Sequence, residues 1–361
     1  MWEQAVGQER AVAVLQRAAE RPVHAYLFVG SRGSGAEDTA RSFAAALVDP
    51  GDDPTVRDRV HRGRHPDVIE IDPPEQQIRV EHAETVIHEA STSPIESDRK
   101  VIVIFEADRM NPSTANKLLK TLEEPSRRTV LVLVTASPDD LLDTVRSRCQ
   151  RIDLAPLSEA TVRGALEREG VAAPRALLAA RLSGGRLDRG RALAGRFGPL
   201  RDAFVVAAGR LNGTGSMAIR MADELTEALA EAVAAVRLAH EAEVDELDHE
   251  IERAAYPDRA AQALRKRLVE RHKRQDRRAR VDALLEGVTA LETVYRDALV
   301  PTDAARNVDR PGLVLSARAA SDALDACRTA RESMEFNPNE GILLERLLLR
   351  LPASGGRRDA D

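Results

Sequence analysis

The sequence has 361 residues, 43% hydrophobic and 31% charged, with a formal net charge of -6. That length asks for two or three domains, and the balance is that of a water-soluble globular chain. It excludes a membrane span, since no apolar run approaches roughly 20 residues, and a uniformly basic nucleic-acid coat; 3% aromatic residues also argue against base stacking as the main hold on single strands.

Two cysteines, Cys149 and Cys327, fit a reducing cytoplasm and cannot build a zinc site by themselves. The first seven residues carry neither a basic head nor an apolar stretch, so no signal peptide is expected.

In chain order, residues 8–20 read as a helix in which Val12, Val14, Leu15 and Ala18 or Ala19 are apolar. Ala25 to Val29 is a short buried strand, followed by a glycine-rich turn and a helix over about 37–47. A second strand spans 67–71 and a helix 80–90. Val101 to Phe105 is apolar at every position, as in a strand covered on both faces. A helix over 112–122 and a strand over 129–134 complete the alternation. Strands alternating with helices predict an α/β domain with a parallel sheet between helices.

After about residue 155 the pattern is helical almost throughout. Ser158 is placed to cap one helix, and Gly184–Gly185 to end another. Long periodic segments follow at 200–240, 279–299, 314–333 and 340–351, the pattern of a helical bundle, before a charged, glycine-rich tail expected to be disordered. There is no internal repeat.

Gly30-Ser31-Arg32-Gly33-Ser34-Gly35-Ala36-Glu37 has the glycine frame of a phosphate-binding loop, between a strand and a helix as such a loop requires. In a working loop a lysine meets the β- and γ-phosphates and a hydroxyl holds Mg²⁺. Ala36 stands at the lysine position and Glu37 at the hydroxyl position. A plain glycine turn that never held a nucleotide reads equally well from this segment alone. A second strand end carries more weight. After Val101–Ile104, the position of a metal-holding aspartate is Phe105, which offers no oxygen to a hard cation, while Glu106 keeps the following carboxylate. Defects at both metal-linked positions predict no hydrolysis. ATP, Mg²⁺ and zinc are not expected as cofactors, though loop N–H groups still leave room for a weakly held nucleotide.

His24-Ala25-Tyr26-Leu27-Phe28, the run Asn116-Lys117-Leu118-Leu119-Lys120-Thr121-Leu122-Glu123-Glu124-Pro125, and Ser147-Arg148-Cys149 occur in that order around these two motifs. Together they resemble the AAA+ subunits of the bacterial DNA polymerase III clamp loader, most closely those of delta-prime type. The resemblance is clear over about 1–195 and fainter beyond, where Asn337-Pro338-Asn339 before Leu343-Leu344-Glu345 looks like the entry to the family's last helix. It implies an AAA+ α/β core over 1–155, a small helical lid over 156–197, a helical oligomerisation collar over 198–352 and a tail over 353–361.

The resemblance further implies a place in a heteropentameric ring with gamma/tau-type ATPase subunits and a delta-type subunit. It implies action on a sliding clamp, and contact with primer–template DNA mainly through the complex, as part of a DNA-directed DNA polymerase holoenzyme. In the family, the arginine matching Arg148 points into a neighbour's ATP site. A guanidinium, always charged and with a rigid donor fork, suits a γ-phosphate in transfer; the plainer reading is a surface ion pair. Thr135 matches the family's sensor-1 place, where a strand-end hydroxyl alone is the simpler reading. The sensor-2 region lies around 184–191, with no one arginine singled out. Many relatives carry four cysteines as a zinc module; the matching stretch here, 49–65, has none, and His61 and His65 do not make a ligand set. A metal-free loop is expected there.

Arg265-Lys266-Arg267, Arg271-His272-Lys273-Arg274 and Arg277-Arg278-Ala279-Arg280 form a basic block, read either as a phosphate-contacting face or as a solvated helix with internal pairs to acids such as Glu270 and Asp276. Cys149 reads as a reactive thiol or a small packing residue, with no histidine close in sequence to favour the first. Two alternatives to the main reading stay open: an active ATPase subunit of the same family, and an AAA+-derived adaptor that only binds a protein.

Overall fold

A computed structural model describes residues 2–31, 33–72, 77–124, 126, 128–254, 258–334 and 339–353. The chain divides into two compact units: Met1–Ala165 with Gly185–Asp188 and His249–Leu268, and Leu166–Gly184 with Arg189–Asp248 and Val269–Asp361.

The first unit is built on five parallel strands: β1 (Ala25–Val29), β2 (Val68–Ile71), β3 (Lys100–Ile104), β4 (Thr129–Thr135) and β5 (Gln150–Asp153), in the order β2-β3-β4-β1-β5. All five residues of β3 and all seven of β4 are buried, which is why their sequences lack a polar face. Val101 and Val103 meet one core with Leu15, Phe43, Leu47 and Val60. Ile102 and Ile104 meet the other, with Val86, Leu118 and Leu122. Helices α1 (Glu9–Glu20), α2 (Ala36–Val48) and α3 (Pro54–His61) feed the first core; α4 (Val80–Ser91) and α5 (Pro112–Glu123) feed the second. This is an α/β domain with a parallel sheet between helices, as the alternating pattern predicts.

Three local expectations are corrected. The stretch 49–65 is not a loop: it contains α3, capped where Asp53 Oδ1 accepts from Thr55 N at 2.8 Å, with Pro54 in its first turn. Only Val56 and Val60 mark its apolar side, too few for periodicity to register. β5 was unread because only Ile152 of its four residues is buried. It is an edge strand, paired to β1 with Tyr26 opposite Gln150 and Val29 opposite Asp153. A short helix α6 (Asp143–Arg146) leads into it.

The periodic segment 200–240 is broken. After α7 (Glu159–Arg168), α8 (Ala173–Ser183) and α9 (Leu187–Ala194), α10 (Phe197–Arg210) ends before a turn in which Gly213 has φ 79° and Asn212 Oδ1 accepts from Thr214 N at 3.1 Å. Then come α11 (Gly215–Ala254), α12 (Asp258–Asp297), α13 (Ala317–Ser333) and α14 (Glu340–Leu348). In the second unit Phe204, Leu225, Leu229, Leu291, Tyr295, Cys327 and Leu344 form one buried core across five helices. A Cβ on Gly287 would lie 2.4 Å from the Phe204 ring, so only glycine lets α12 approach α10 there. Arg201, buried to 2%, donates to both carboxylate oxygens of Asp309 at 2.6 and 2.8 Å and to Asn307. Asp297 in turn accepts from the backbone of Arg306 and Asn307 at 2.8–3.0 Å. Buried charge is thus matched, as it must be.

The two capping expectations agree with the structure: Ser158 Oγ accepts from Thr161 N at 3.0 Å, and Gly184 ends α8 with φ 64°. Asn339 caps α14, its Oδ1 accepting from Ile342 N at 3.1 Å. Asn337 and Pro338 lie outside the described residues, as do Arg32 in the glycine loop, Pro125 and residues 354–361 of the tail.

Candidate functional site: a glycine loop at the sheet edge and a separate arginine turn

The glycine loop joins β1 to α2, at the C-terminal edge of the sheet. Gly30 N donates to Thr135 O at 3.1 Å, tying the loop to the end of β4. Gly33 and Gly35 have φ of 75° and 85°, which side-chain-bearing residues resist. Gln8 braces the loop from behind: its Nε2 donates to Ser34 O and Ala155 O, both at 2.8 Å, and its Oε1 accepts from Ala155 N at 2.9 Å.

The mouth of the loop is met by the chain itself. Leu187 N donates to Gly33 O at 3.0 Å, and a Cβ on Gly33 would lie 2.3 Å from Asp188 Oδ1 and 2.7 Å from Arg186 Cβ. Arg186 is paired to Asp188 at 2.7 Å. The other arginines of the sensor-2 region are also engaged, Arg189 with Glu286 and Arg191 with Glu169, each at 2.8 Å. Ala36 is buried and gives the loop no charge, while Glu37 and Asp38 put two carboxylates in the first turn of α2. Carboxylates there satisfy the positive helix end and oppose a phosphate.

At the end of β3, Phe105 is buried to 3% and faces α2. The Arg41 guanidinium lies over its ring at 4.8 Å. Arg41 donates to Glu70 through Nε at 2.8 Å and Nη2 at 3.0 Å, a two-bond fork, and approaches Asp38 at 3.7 Å. Burial would push the Arg41 pKa down; the carboxylates of Glu70, Glu37 and Asp38 outweigh it and push it up. A cation therefore stands beside Phe105, but one that donates hydrogen bonds and cannot coordinate a phosphate oxygen as Mg²⁺ does. Glu106, with φ 49°, pairs with Arg109 at 2.7 Å. Thr135, buried to 1%, donates to Asp108 Oδ1 at 2.5 Å and accepts from Ser137 N at 3.1 Å. The structure thus brings Gly30, Gly33, Gly35, Ala36, Glu37, Phe105, Glu106 and Thr135 to one edge of the sheet. Gln8, Arg41, Glu70, Asp108 and Asp188 are additional members that the sequence reading did not single out.

Arg148 is elsewhere. Ser147, Arg148 and Cys149 form the turn between α6 and β5, and β5 starts opposite Tyr26 while the glycine loop leaves β1 after Val29. At about 3.3 Å per residue, the turn sits about 10 Å or more back along the strands from the loop. Arg148, one-third exposed, pairs with Glu123 and donates to Thr144 O at 2.8 Å. The Cys149 thiol is pushed up to about 12 by burial among apolar neighbours, which makes it a packing residue.

His61 and His65 have separate partners: His61 Nε2 is 3.4 Å from Ser42 Oγ, and His65 Nε2 is 2.9 Å from Glu96. Among the described residues no cluster of three or more histidine, cysteine or acidic side chains is arranged for a metal ion, and no helix is long and apolar enough to cross a membrane. Much of the basic block is paired within the chain: Arg267 with Glu89 at 3.3 Å, Arg271 and His272 with Glu243 at 2.8 and 2.7 Å, Lys273 with Glu270 at 3.2 Å, Arg280 with Glu340 at 2.5 Å. The side chains of Arg274, Arg277 and Arg278 lie outside the described set.

Fold and site define a class: a parallel α/β domain with a glycine-rich loop at the C-terminal edge of its sheet, where Ala36, Glu37 and Phe105 stand together. Within that class, residues 7–158 match the family model described as DNA polymerase III, delta subunit. The chain is 35% identical over 184 residues to DNA polymerase III subunit delta' of Bacillus subtilis, covering 49% of this chain and 56% of that one. It is 35% identical over 135 residues to subunit delta' of Pseudomonas aeruginosa, covering 35% and 41%. It is 32% identical over 176 residues to subunit tau of Bacillus subtilis, covering 46% and 31%. The chain thus spans about half or less of the length of these relatives, and over that span it is delta-prime-like. A solved structure of a DNA polymerase III gamma subunit-related protein from Thermotoga maritima aligns over 94% of this chain and 97% of its own, at 18% identity and a TM-score of 0.47.

Proposed function

We propose that this chain is the delta-prime-like subunit of a bacterial replicative clamp loader, without ATPase activity of its own. It takes one place in a heteropentameric ring with gamma/tau-type ATPase subunits and a delta-type subunit, in the cytoplasm at the replisome, and helps open a sliding clamp for primer–template DNA. The core, lid and collar correspond to 1–155, 156–197 and 198–352. Arg148 enters the ATP site of the adjacent ATPase subunit.

The observation that carries this reading is the separation of the two motifs. The site that would bind nucleotide in cis has Ala36, Glu37 and, at the end of β3, Phe105 at its reactive positions, with Arg41 lying over Phe105. The one arginine of the Ser147–Arg148–Cys149 turn lies away from that loop and is partly exposed. An arginine that cannot serve its own site is available to another. Such a group supplied in trans raises phosphoryl transfer by about 10³–10⁵.

The test is reconstitution with the ATPase subunit from the same genome. Arg148→Ala should leave assembly and ATP binding intact and lower DNA-stimulated hydrolysis at the neighbouring site by about 10³-fold or more. Unchanged hydrolysis and clamp loading would refute the role of Arg148. Failure to recover an ATPase subunit with the chain would refute the assignment to a clamp loader, and stoichiometric tight ATP binding by the isolated chain would revive the active-ATPase alternative.

A further inference from the structure

Glu123 is the last residue of α5, and its carboxylate lies beside the Ser147–Arg148–Cys149 turn. Arg148 Nε donates to Glu123 Oε1 at 2.7 Å, and Nη2 pairs with the same oxygen. Nη1 donates to Thr144 O at 2.8 Å and to Ser147 Oγ at 3.5 Å. The guanidinium is therefore held at all three nitrogens by groups of its own chain. A free arginine side chain loses much rotamer freedom when it docks on a ligand, and a side chain already held in one conformation loses less. The strength of the clasp decides what it can do. Glu123 is 47% and Arg148 33% exposed, so water weakens their attraction. A pair that weak cannot keep a guanidinium from a triphosphate, but it can bias which conformation the side chain offers. Glu124, the next residue, makes no bond to Arg148 and its backbone N–H donates to Lys120 O.

Resting on the reading of Arg148 as a trans-acting group, we propose that Glu123 is its positioning residue. It holds the guanidinium at the end of α5 in the conformation from which it is handed to the neighbour's γ-phosphate. The residue acts only through Arg148 and touches no nucleotide.

The experiment uses the full chain assembled with the ATPase subunit from the same genome, measuring kcat and KM for ATP in DNA-stimulated hydrolysis. Glu123→Gln, which keeps shape and removes charge, should lower kcat about two- to five-fold with KM unchanged. Glu123→Asp should recover part of that loss, Glu124→Gln should be neutral, and Glu123→Gln should add nothing in an Arg148→Ala background. Thermal unfolding of each variant shows whether it folds. If Arg148→Ala is defective while Glu123→Gln matches wild type, raises kcat, or lowers activity further without Arg148, positioning by Glu123 is wrong and the trans role of Arg148 stands. If Arg148→Ala itself hydrolyses ATP normally, both ideas fall.

Discussion

Replacing Arg41 with methionine should destabilise the first unit by about 3 kcal/mol. Arg41 and Glu70 are 20% and 14% exposed and share two hydrogen bonds of 2.8 and 3.0 Å. Removing one partner of a buried pair costs roughly 3–5 kcal/mol, because the other charge is left without a counterion. Residual solvent access puts this pair at the low end, even with the contact to Phe105 added. For a unit of this size that loss lowers the melting temperature by roughly 6–12 °C. The chain's one tryptophan, Trp2, packs against the same core, so its fluorescence during urea unfolding reports on this unit. Glu70→Leu added to Arg41→Met should bring stability back to within about 1 kcal/mol of wild type, since apolar residues of similar volume replace buried ion pairs well. A single variant costing under about 1 kcal/mol, or a double variant no better than the single one, would show that Arg41 does not neutralise Glu70 in the way described.

In the second unit, the Asp309 carboxyl loses solvation on burial, but Arg201 outweighs this and pulls its pKa below the ordinary 3.8. A depressed carboxyl contributes stability above its unfolded pKa and loses it as pH falls through the folded one. The stability gap between wild type and Asp309→Asn should therefore be full at pH 7 and close below about pH 4 in acid titrations followed by circular dichroism. Gly287→Ala should cost about 1–3 kcal/mol in urea melts, because its new methyl meets the buried Phe204 ring; a neutral result would mean that α10 and α12 shift apart freely. Cys149 and Cys327 have thiols pushed up to about 12 by burial, so at pH 8 both should resist a disulfide reagent until the chain unfolds. Rapid labelling of either in the native protein would contradict that packing.

Much of the α/β architecture was legible because it is written in local patterns. Val101–Ile104 and Val130–Val134 are apolar at every position, which only a sheet covered on both sides explains. Ser158 and the glycines of the loop act on neighbours within a few residues, so their roles are visible in the string. α3 and β5 escaped because each buries a single residue, Val60 and Ile152, and one position carries no period. The candidate site was half legible. The substitutions Ala36, Glu37 and Phe105 are read against a motif, but the company they keep is not. Arg41, Glu70 and Phe105 come from a helix, a strand and the turn after another strand, and their meeting depends on how α2 lies across the sheet. The partner of Arg148 was hidden for the same reason: Glu123 is 25 residues away and looks like any acidic helix end.

The guanidinium over Phe105 has a consequence for how this domain responds to the cell. A magnesium ion or a nucleotide occupies its site in proportion to its concentration, and a domain that depends on one loosens when supply falls. Arg41 is carried by the backbone, so its local concentration is fixed by α2 and does not vary with adenylate charge or divalent metal. The edge of the sheet that carries Phe105 is thus braced by the chain's own side chains rather than by a group drawn from solution.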